Sequence, residues 1–186
     1  GKMQRQFDAK DFSPYILHRL DYATSGLVLF GKYSRDRAKL EGIFGDEKTT
    51  KTYIALVKGL PYPPHGVITK KLRARTGSEL VEAVTSYKVT KNLPGKIVSL
   101  IEAVITTGRH HQIRQHLASI GNPIVLDDQY GDKNFNRKFR ITFRIGRQFL
   151  HAARLQFLHP FTQKETIIEA PLPIDLQNVL KKFEHI

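Results

Sequence analysis

The segment at residues 18–26 carries side chains that could do chemistry. Asp21 follows a short, mostly apolar approach, and a Thr-Ser-Gly turn then leads into the apolar run Leu27–Phe30. A carboxylate at a junction between strand and turn can be presented to a cleft by a rigid scaffold. The alternative is an Asx turn, in which the Asp21 side chain accepts a hydrogen bond from the amide of Ala23 or Thr24. Taken alone, the residues favour this structural alternative.

A second group of polar residues occupies positions 108–116. Gly108 permits a tight turn, and a helix is predicted to begin just after it. Arg114 then lies one turn from His110 and His111, near a helix N-terminus whose exposed amides favour an anion such as a carboxylate or a phosphate. The histidines do not share a helix face and have no carboxylate nearby in sequence, so no metal site is expected. Hydrogen-bonding or substrate-facing roles suit these histidines better.

Tyr53 is the third candidate. In its predicted strand it shares a face with Ala55 and Val57, whose small size would leave room beside the ring. The residues alone favour an ordinary core aromatic. A stacking platform for a nucleobase is the functional alternative, and it requires a basic surface close by.

Composition narrows the class of protein. The chain has 186 residues, 40% of them hydrophobic, with a formal net charge of +13 and a pI near 10.0, which predicts an anionic partner. Nucleic acid is the first candidate, although an anionic membrane surface fits the number equally well. The absence of cysteine excludes disulfides, a thiol nucleophile and thiolate zinc sites. Residues 1–6 lack the apolar core of a signal peptide, and no apolar run reaches the roughly 18–20 residues of a membrane span, so a soluble, cytoplasmic protein is expected.

Short β-branched and aromatic runs separated by Gly- or Pro-containing breaks predict strands, and amphipathic stretches predict helices. The expected product is an α+β domain with a mixed, mostly antiparallel sheet and flanking helices. The predicted strands are 27–30, 52–57, 84–89, 97–105 and 165–170, and the predicted helices are 34–44, 111–120 and 175–183.

Positive charge concentrates late in the chain. From Lys133 to Lys164 there is no acidic residue, and phenylalanines alternate with basic side chains that include Arg137 and Arg140. One interpretation is a helix and loop with a solvated basic face and apolar anchors. The other is an electrostatic track for a phosphate backbone, and the net charge of the whole chain favours it.

These motifs together resemble those of the RNA pseudouridine synthases that modify ribosomal and transfer RNA. The resemblance runs in order from about residue 16 to residue 173, and its segments, taken together, are highly specific. Residues 127–132, with Phe135 and Arg137, resemble most closely the branch that contains ribosomal large subunit pseudouridine synthase C. The matching segments are 18–21 with 24–27, 51–59, 108–117, 150–152 with 159–160, and 169–171.

The resemblance implies roles for individual residues. Asp21 matches the essential aspartate, Tyr53 the tyrosine that stacks on the target base, and Arg114 the arginine that pairs with the catalytic carboxylate. Arg19 would occupy the space that an extruded nucleotide leaves. The other residues expected to contact RNA are Arg109, His110, Gln112, Lys133, Arg137 and Arg140.

The resemblance also implies an isomerase that needs no cofactor and no metal and acts on uridines of large-subunit ribosomal RNA. The sequence leaves the oligomeric state open, and a monomer is the default expectation. Two alternatives stay open: a synthase acting on transfer RNA or on other ribosomal positions, and a non-catalytic RNA-binding domain on the same scaffold. Residues 1–186 are expected to form a single catalytic domain that lacks part of the family's N-terminal sheet and its upstream RNA-binding domain.

Overall fold

The computed structural model describes residues 12–74 and 79–184. Residues 1–6, considered above for a signal peptide, lie outside them. The described helices are all too short or too polar to span a bilayer. In chain order, the strands are β1 Tyr15–Ile16, β2 Ser25–Gly26, β3 Phe30–Gly31, β4 Thr50–Lys58, β5 His65–Ile68, β6 Leu72–Arg73, β7 Leu80–Val81, β8 Thr85–Asn92, β9 Val98–Ile105, β10 Leu150–Leu158 and β11 Glu165–Glu169. The α-helices are α1 Arg37–Glu41, α2 Gln112–Ser119, α3 Lys133–Phe143 and α4 Ile174–Phe183.

Within the described residues, the main sheet has seven strands. Six follow the order β11-β10-β4-β9-β8-β5 and pair antiparallel, while β2 pairs with β10 in parallel. Strands β1 and β3 form a separate two-stranded ribbon, as do β6 and β7. The predicted α+β class with a mixed, mostly antiparallel sheet is therefore confirmed.

Both faces of the sheet carry core, because alternate residues of a strand point to opposite faces. In β4, Leu56 packs into a cluster with the phenylalanines of α3 and α4, including Phe139 and Phe183. Its neighbours Ala55 and Val57 point the other way, into a cluster that contains Ile113 and Leu117 of α2. Helix α2 is therefore held on the face of β4 that also carries Tyr53.

The predicted strand at 27–30 is largely wrong, since only Phe30 belongs to a strand. The backbone amide of Leu27 donates to the carbonyl of Ala152, and that of Leu29 donates to Nε2 of His18. Leu27 and Leu29 also pack beside Leu155 in a third apolar cluster. Leu27 and Leu29 are therefore held by these individual hydrogen bonds and apolar contacts and not by the regular pairing of a strand. The helices predicted at 111–120 and 175–183 are observed within one or two residues.

Candidate active site

A cavity of about 380 Å³ opens on the α2 side of the sheet. This volume lies within the range of roughly 300–1,000 Å³ that is usual for small-molecule sites. The cavity brings together the three segments that the sequence singled out. Its wall includes Asp21, Tyr53 and Arg114, together with residues of the turn before α2.

Asp21 lies at a turn that is closed by backbone atoms. The amide of Thr24 donates to the backbone carbonyl of Asp21 at 2.9 Å, whereas carboxylate oxygen Oδ2 lies 3.2 Å from Nη1 of Arg114. The carboxylate is 27% exposed and faces the cavity. The Asx-turn alternative is therefore wrong: the main chain makes the turn, and the carboxylate is left for the site.

The residues after Asp21 are tied to the second half of the chain. Thr24 Oγ1 accepts a hydrogen bond from Gln148 at 2.8 Å, and Ser25 Oγ lies 2.9 Å from Nδ1 of His151. Gly26 has a φ of 119°, and a β-carbon at this position would lie 2.2 Å from the carbonyl oxygen of Ala152. Only glycine permits this approach. Pairing between β2 and β10 thus fixes the position of the Asp21 turn.

Arg114 is buried and bonds to two carboxylates. Its Nε and Nη2 donate to the two oxygens of Asp127 at 2.7 and 2.9 Å, and Nη1 donates to Asp21. Burial opposes the charged guanidinium, but the hydrogen bonds and charge of Asp127 and Asp21 hold the pKa of Arg114 above its usual value. The arginine is therefore a fixed cation with one N–H aimed at the candidate catalytic carboxylate.

Asp127 is the site residue that sequence reasoning missed. Burial acts to raise its pKa, but hydrogen bonds from Arg114 and from the amides of Gln129 and Tyr130 hold the pKa of Asp127 below its usual value. The side chain of Asn136 in α3 stabilises the backbone at Asp127 by donating a hydrogen bond to the Asp127 carbonyl. The only sequence signal is the polar run at 127–132, which indicates a branch of the family and does not by itself point to the site.

Tyr53 lies on β4 between two alanines. It pairs across the sheet with Ala103 on one side and Ala152 on the other, so its cross-strand neighbours have small side chains. Burial, and secondarily the charge of Asp21, raises the pKa of Tyr53 to about 12. The phenol is therefore neutral at physiological pH and presents an aromatic surface with a hydroxyl donor.

His111, directly before α2, lines the cavity next to Asp21, whereas His110 is not one of the lining residues. His111 adopts φ 52°, and its Nδ1 lies 3.2 Å from the hydroxyl of Tyr130 while its Nε2 lies 3.9 Å from Asp21 Oδ1. Burial lowers the pKa of His111 despite the nearby carboxylate. The ring of His110 stacks on His111 at 3.6 Å between centroids. No group of three His, Cys, Asp or Glu side chains in 12–74 and 79–184 is arranged to hold a metal ion.

The predicted RNA contacts divide into two groups. Arg19 and Arg109 both line the cavity, Arg19 with an exposed side chain and Arg109 with Nε donating to the Glu82 carbonyl at 3.3 Å. Gln112 is only 3% exposed. Its oxygen accepts from Thr107 and from the Arg109 amide, and its nitrogen donates to Val84 and Thr85. Because these four bonds use the amide fully, the structure supports a positioning role for Gln112 in place of the expected RNA contact.

The basic residues of α3 lie on its exposed face. Lys133, Arg137 and Arg140 are all exposed, and Arg140 donates to Asp128 at 3.0 Å. Because Asp128 adjoins Asp127, this salt bridge connects the basic helix to the loop that holds Arg114. The basic face of α3 therefore contacts, through Arg140, the residue next to the one that binds Arg114.

Comparisons with known proteins agree on one family. A family model described as RNA pseudouridylate synthase matches residues 1–119. The chain is 37% identical to tRNA pseudouridine synthase C of Vibrio cholerae, over 91% of this chain and 77% of that protein. It is 34% identical to ribosomal large subunit pseudouridine synthase C of the same organism, over 90% of this chain and 55% of that protein. The fold is similar to that of human RNA Pseudouridylate Synthase Domain Containing 4, with a TM-score of 0.79 at 21% identity over 97% of this chain and 80% of that chain.

Proposed function

Because this chain belongs to the RNA pseudouridylate synthase family and is an RNA-modifying isomerase, we propose that Asp21 is its catalytic carboxylate, acting with Tyr53 and Arg114 on an extruded uridine. The observation that carries the proposal is the contact between Asp21 Oδ2 and Arg114 Nη1 at 3.2 Å in the wall of the cavity. A carboxylate held next to a fixed cation is charged and oriented before the substrate arrives.

The reaction needs a carboxylate and a place for free uracil. The bond between N1 of the base and C1′ of the ribose breaks, the base turns, and C5 bonds to the same carbon. Asp21 either attacks the substrate or stabilises the electron-poor sugar. Tyr53 stacks on the base and keeps it in the cavity while it turns, since base stacking on an aromatic ring contributes about 1–3 kcal/mol. Redox chemistry is not involved, because atoms are only rearranged.

Arg19 and Arg109 are proposed to contact the RNA at the mouth of the cavity, and the exposed face of α3 to bind its phosphates. Extruding a uridine costs a few kcal/mol, and least where the base is already unpaired. Contacts between phosphates and basic side chains offset this cost. A loop or strained junction of a folded RNA is therefore the proposed substrate.

Large-subunit ribosomal RNA is the first proposed substrate, because residues 127–132, with Phe135 and Arg137, resemble the synthase C branch. Transfer RNA is the second, and the relative that is 37% identical and named for transfer RNA favours it. Both substrates require the same chemistry at Asp21.

The decisive experiment incubates the protein with unmodified ribosomal RNA and, separately, unmodified transfer RNA, and then maps pseudouridine. Wild type is expected to form pseudouridine at defined positions of one of them. The Asp21→Asn variant should form none and bind the RNA with a similar Kd, because the substitution removes only the charge. The control Asp128→Asn changes an exposed aspartate that pairs with Arg140, and it should retain activity. Product formation by Asp21→Asn at the wild-type rate would refute the role of Asp21.

A further inference from the structure

Lys51 and Arg114 are the lysine and arginine side chains of the cavity wall that are not exposed, and their surroundings differ. Arg114 contacts two carboxylates, whereas none of the described residues brings a carboxylate within 4.0 Å of the Lys51 ammonium. Its Nζ lies 5.4 Å from the ring centre of Phe44. A β-carbon on Gly108 would lie 3.7 Å from the same nitrogen. Phe44 and Gly108 both line the cavity, so the ammonium belongs to the cavity wall.

A half-buried cation that has no carboxylate partner among the described residues carries an energetic cost. Lys51 is half-buried, and burial lowers the pKa of its ammonium. Removing a charge from water without a partner is unfavourable, and such groups are usually paired or bound to a ligand. The ring face of Phe44 compensates only in part, because a cation–π contact contributes about 0.5–2 kcal/mol. The site is therefore arranged to receive negative charge from the substrate.

The position of Lys51 on β4 indicates which part of the substrate it meets. Lys51 and Tyr53 are two residues apart on one strand, so their side chains point to the same face about 7 Å apart. If Tyr53 stacks on the extruded base, the Lys51 ammonium borders the space in which that base must turn. Arg19, in contrast, is an exposed cation suited to the phosphate backbone.

The reaction creates negative charge in this space. When the N1–C1′ bond breaks, both bonding electrons remain on the base, and the charge spreads over N1, O2 and O4 of the uracil. When C5 bonds to C1′ the ring becomes neutral again; a proton then leaves C5 and N1 gains one. The uracil anion therefore exists only after the N1–C1′ bond has broken and before the C5–C1′ bond has formed.

We propose that Lys51 is a further catalytic residue, whose ammonium stabilises the detached uracil anion through its carbonyl oxygens. This inference rests on the proposed function, since it assumes that the uridine enters this cavity. A preorganised cation that meets charge only as the bond breaks lowers the barrier without strengthening ground-state binding. A backbone phosphate is charged throughout the reaction, so contact with it would strengthen binding of substrate and transition state equally.

The first test measures single-turnover rate constants and RNA affinity for wild type, Lys51→Met and Lys51→Arg. Loss of the cation in Lys51→Met should slow the reaction by about 10²–10³-fold, the usual effect of removing one donor to a developing anion, with Kd unchanged. Lys51→Arg retains a cation and should recover part of the rate. Lys39→Met is the matched control, because Lys39 also lies over a phenylalanine ring, at 5.3 Å from Phe161, but on the exposed surface. It should react at the wild-type rate.

The second test changes the leaving group. In RNA with 5-fluorouridine at the target position, the fluorine withdraws electrons and stabilises the uracil anion by itself. For each RNA, the rate at which the target nucleotide is consumed by wild type is divided by the rate for Lys51→Met. This ratio should be smaller for 5-fluorouridine than for uridine. An equal ratio for both substrates would mean that Lys51 only positions the base, and would overturn the proposal.

The remaining outcomes separate the two levels of inference. If Lys51→Met weakens RNA binding and lowers the salt dependence with the rate constant unchanged, Lys51 binds a phosphate and the proposal is wrong. If Lys51→Met reacts as fast as wild type, the proposal is also wrong but the proposed function stands. If wild type itself forms no pseudouridine, the proposed function fails first. Should Lys51→Met unfold, Lys51→Gln, which is neutral and polar, is measured in its place.

Discussion

Arg114, which lines the cavity, forms a bidentate ion pair with Asp127, with nitrogen–oxygen distances of 2.7 and 2.9 Å. Arg114 is only 8% exposed and Asp127 only 1%. The pair uses N–H groups of Nε and Nη2 and turns Nη1 toward Asp21, which it contacts at 3.2 Å. The direction of Nη1 is therefore set by a carboxylate that does not itself line the cavity.

Replacing Asp127 with asparagine should lower the rate constant by about 100-fold, because one of the two accepting oxygens becomes an NH2 donor that repels a guanidinium N–H and Arg114 would shift from Asp21. It should also lower the free energy of unfolding by about 3–5 kcal/mol, as expected when a buried ion pair is deprived of one partner. Single-turnover kinetics and urea unfolding measure the two effects. Asp128→Asn, the exposed neighbour, should show neither effect. Wild-type kinetics in Asp127→Asn would contradict the assigned positioning role.

The stability of the protein should depend on pH through Asp127. Its pKa in the folded state lies below the usual 3.8, so the unfolded state binds the proton more tightly. The ion pair therefore contributes its full stability at pH values well above 3.8, and this contribution is lost as the pH falls through 3.8 toward and through the lowered pKa. Urea unfolding between pH 7 and pH 3 should show a smaller decrease for Asp127→Asn than for wild type. Parallel curves for the two proteins would show that Asp127 titrates normally.

Gly26→Ala should destabilise the protein by at least about 2 kcal/mol, since alanine combines a strained φ with a clash against the Ala152 backbone. Because β2 holds the Asp21 turn, the rate constant should also fall in protein that is still folded. Gly42→Ala is the control: Gly42 ends α1 with φ −56°, and none of the described residues outside its own helix and chain neighbours comes within 4 Å of an added β-carbon. Thermal unfolding should show this control unchanged or slightly stabilised. A stable, fully active Gly26→Ala would refute this account of the turn.

The exposed basic face of α3 should contribute to RNA affinity in a salt-dependent way. The double variant Lys133→Gln and Arg137→Gln should reduce the slope of log K against log salt by about one for each phosphate that is no longer neutralised. Lys88→Gln combined with Lys181→Gln removes two exposed charges elsewhere and serves as the control. Filter-binding titrations at several salt concentrations would measure the slopes. An unchanged slope in the α3 variant would remove this helix from the RNA interface.

Local sequence patterns predicted the strands and helices whose residue types and apolar spacing suit the observed secondary structure. The strand around Tyr53 was visible because β-branched and apolar residues fill it, and α2 because its apolar residues recur at helical spacing. Strand β10 was not predicted as a strand. Its sequence from Leu150 to Leu158 contains no β-branched residue, so it becomes a strand only through pairing with β4 and β11.

The sequence by itself determined the basic charge, the α+β class and the three motifs that supply Asp21, Tyr53 and Arg114. Their types and order were sufficient for the family resemblance. Only the tertiary structure decided that Asp127 holds Arg114, that internal hydrogen bonds occupy the Gln112 amide, and that Lys51 lines the cavity with no carboxylate of the described residues within 4.0 Å. The physical reason is that these properties depend on contacts between segments distant along the chain. The packing of α2 on the sheet determines which of these side chains are buried and which are paired. A local pattern of residues does not reveal that packing.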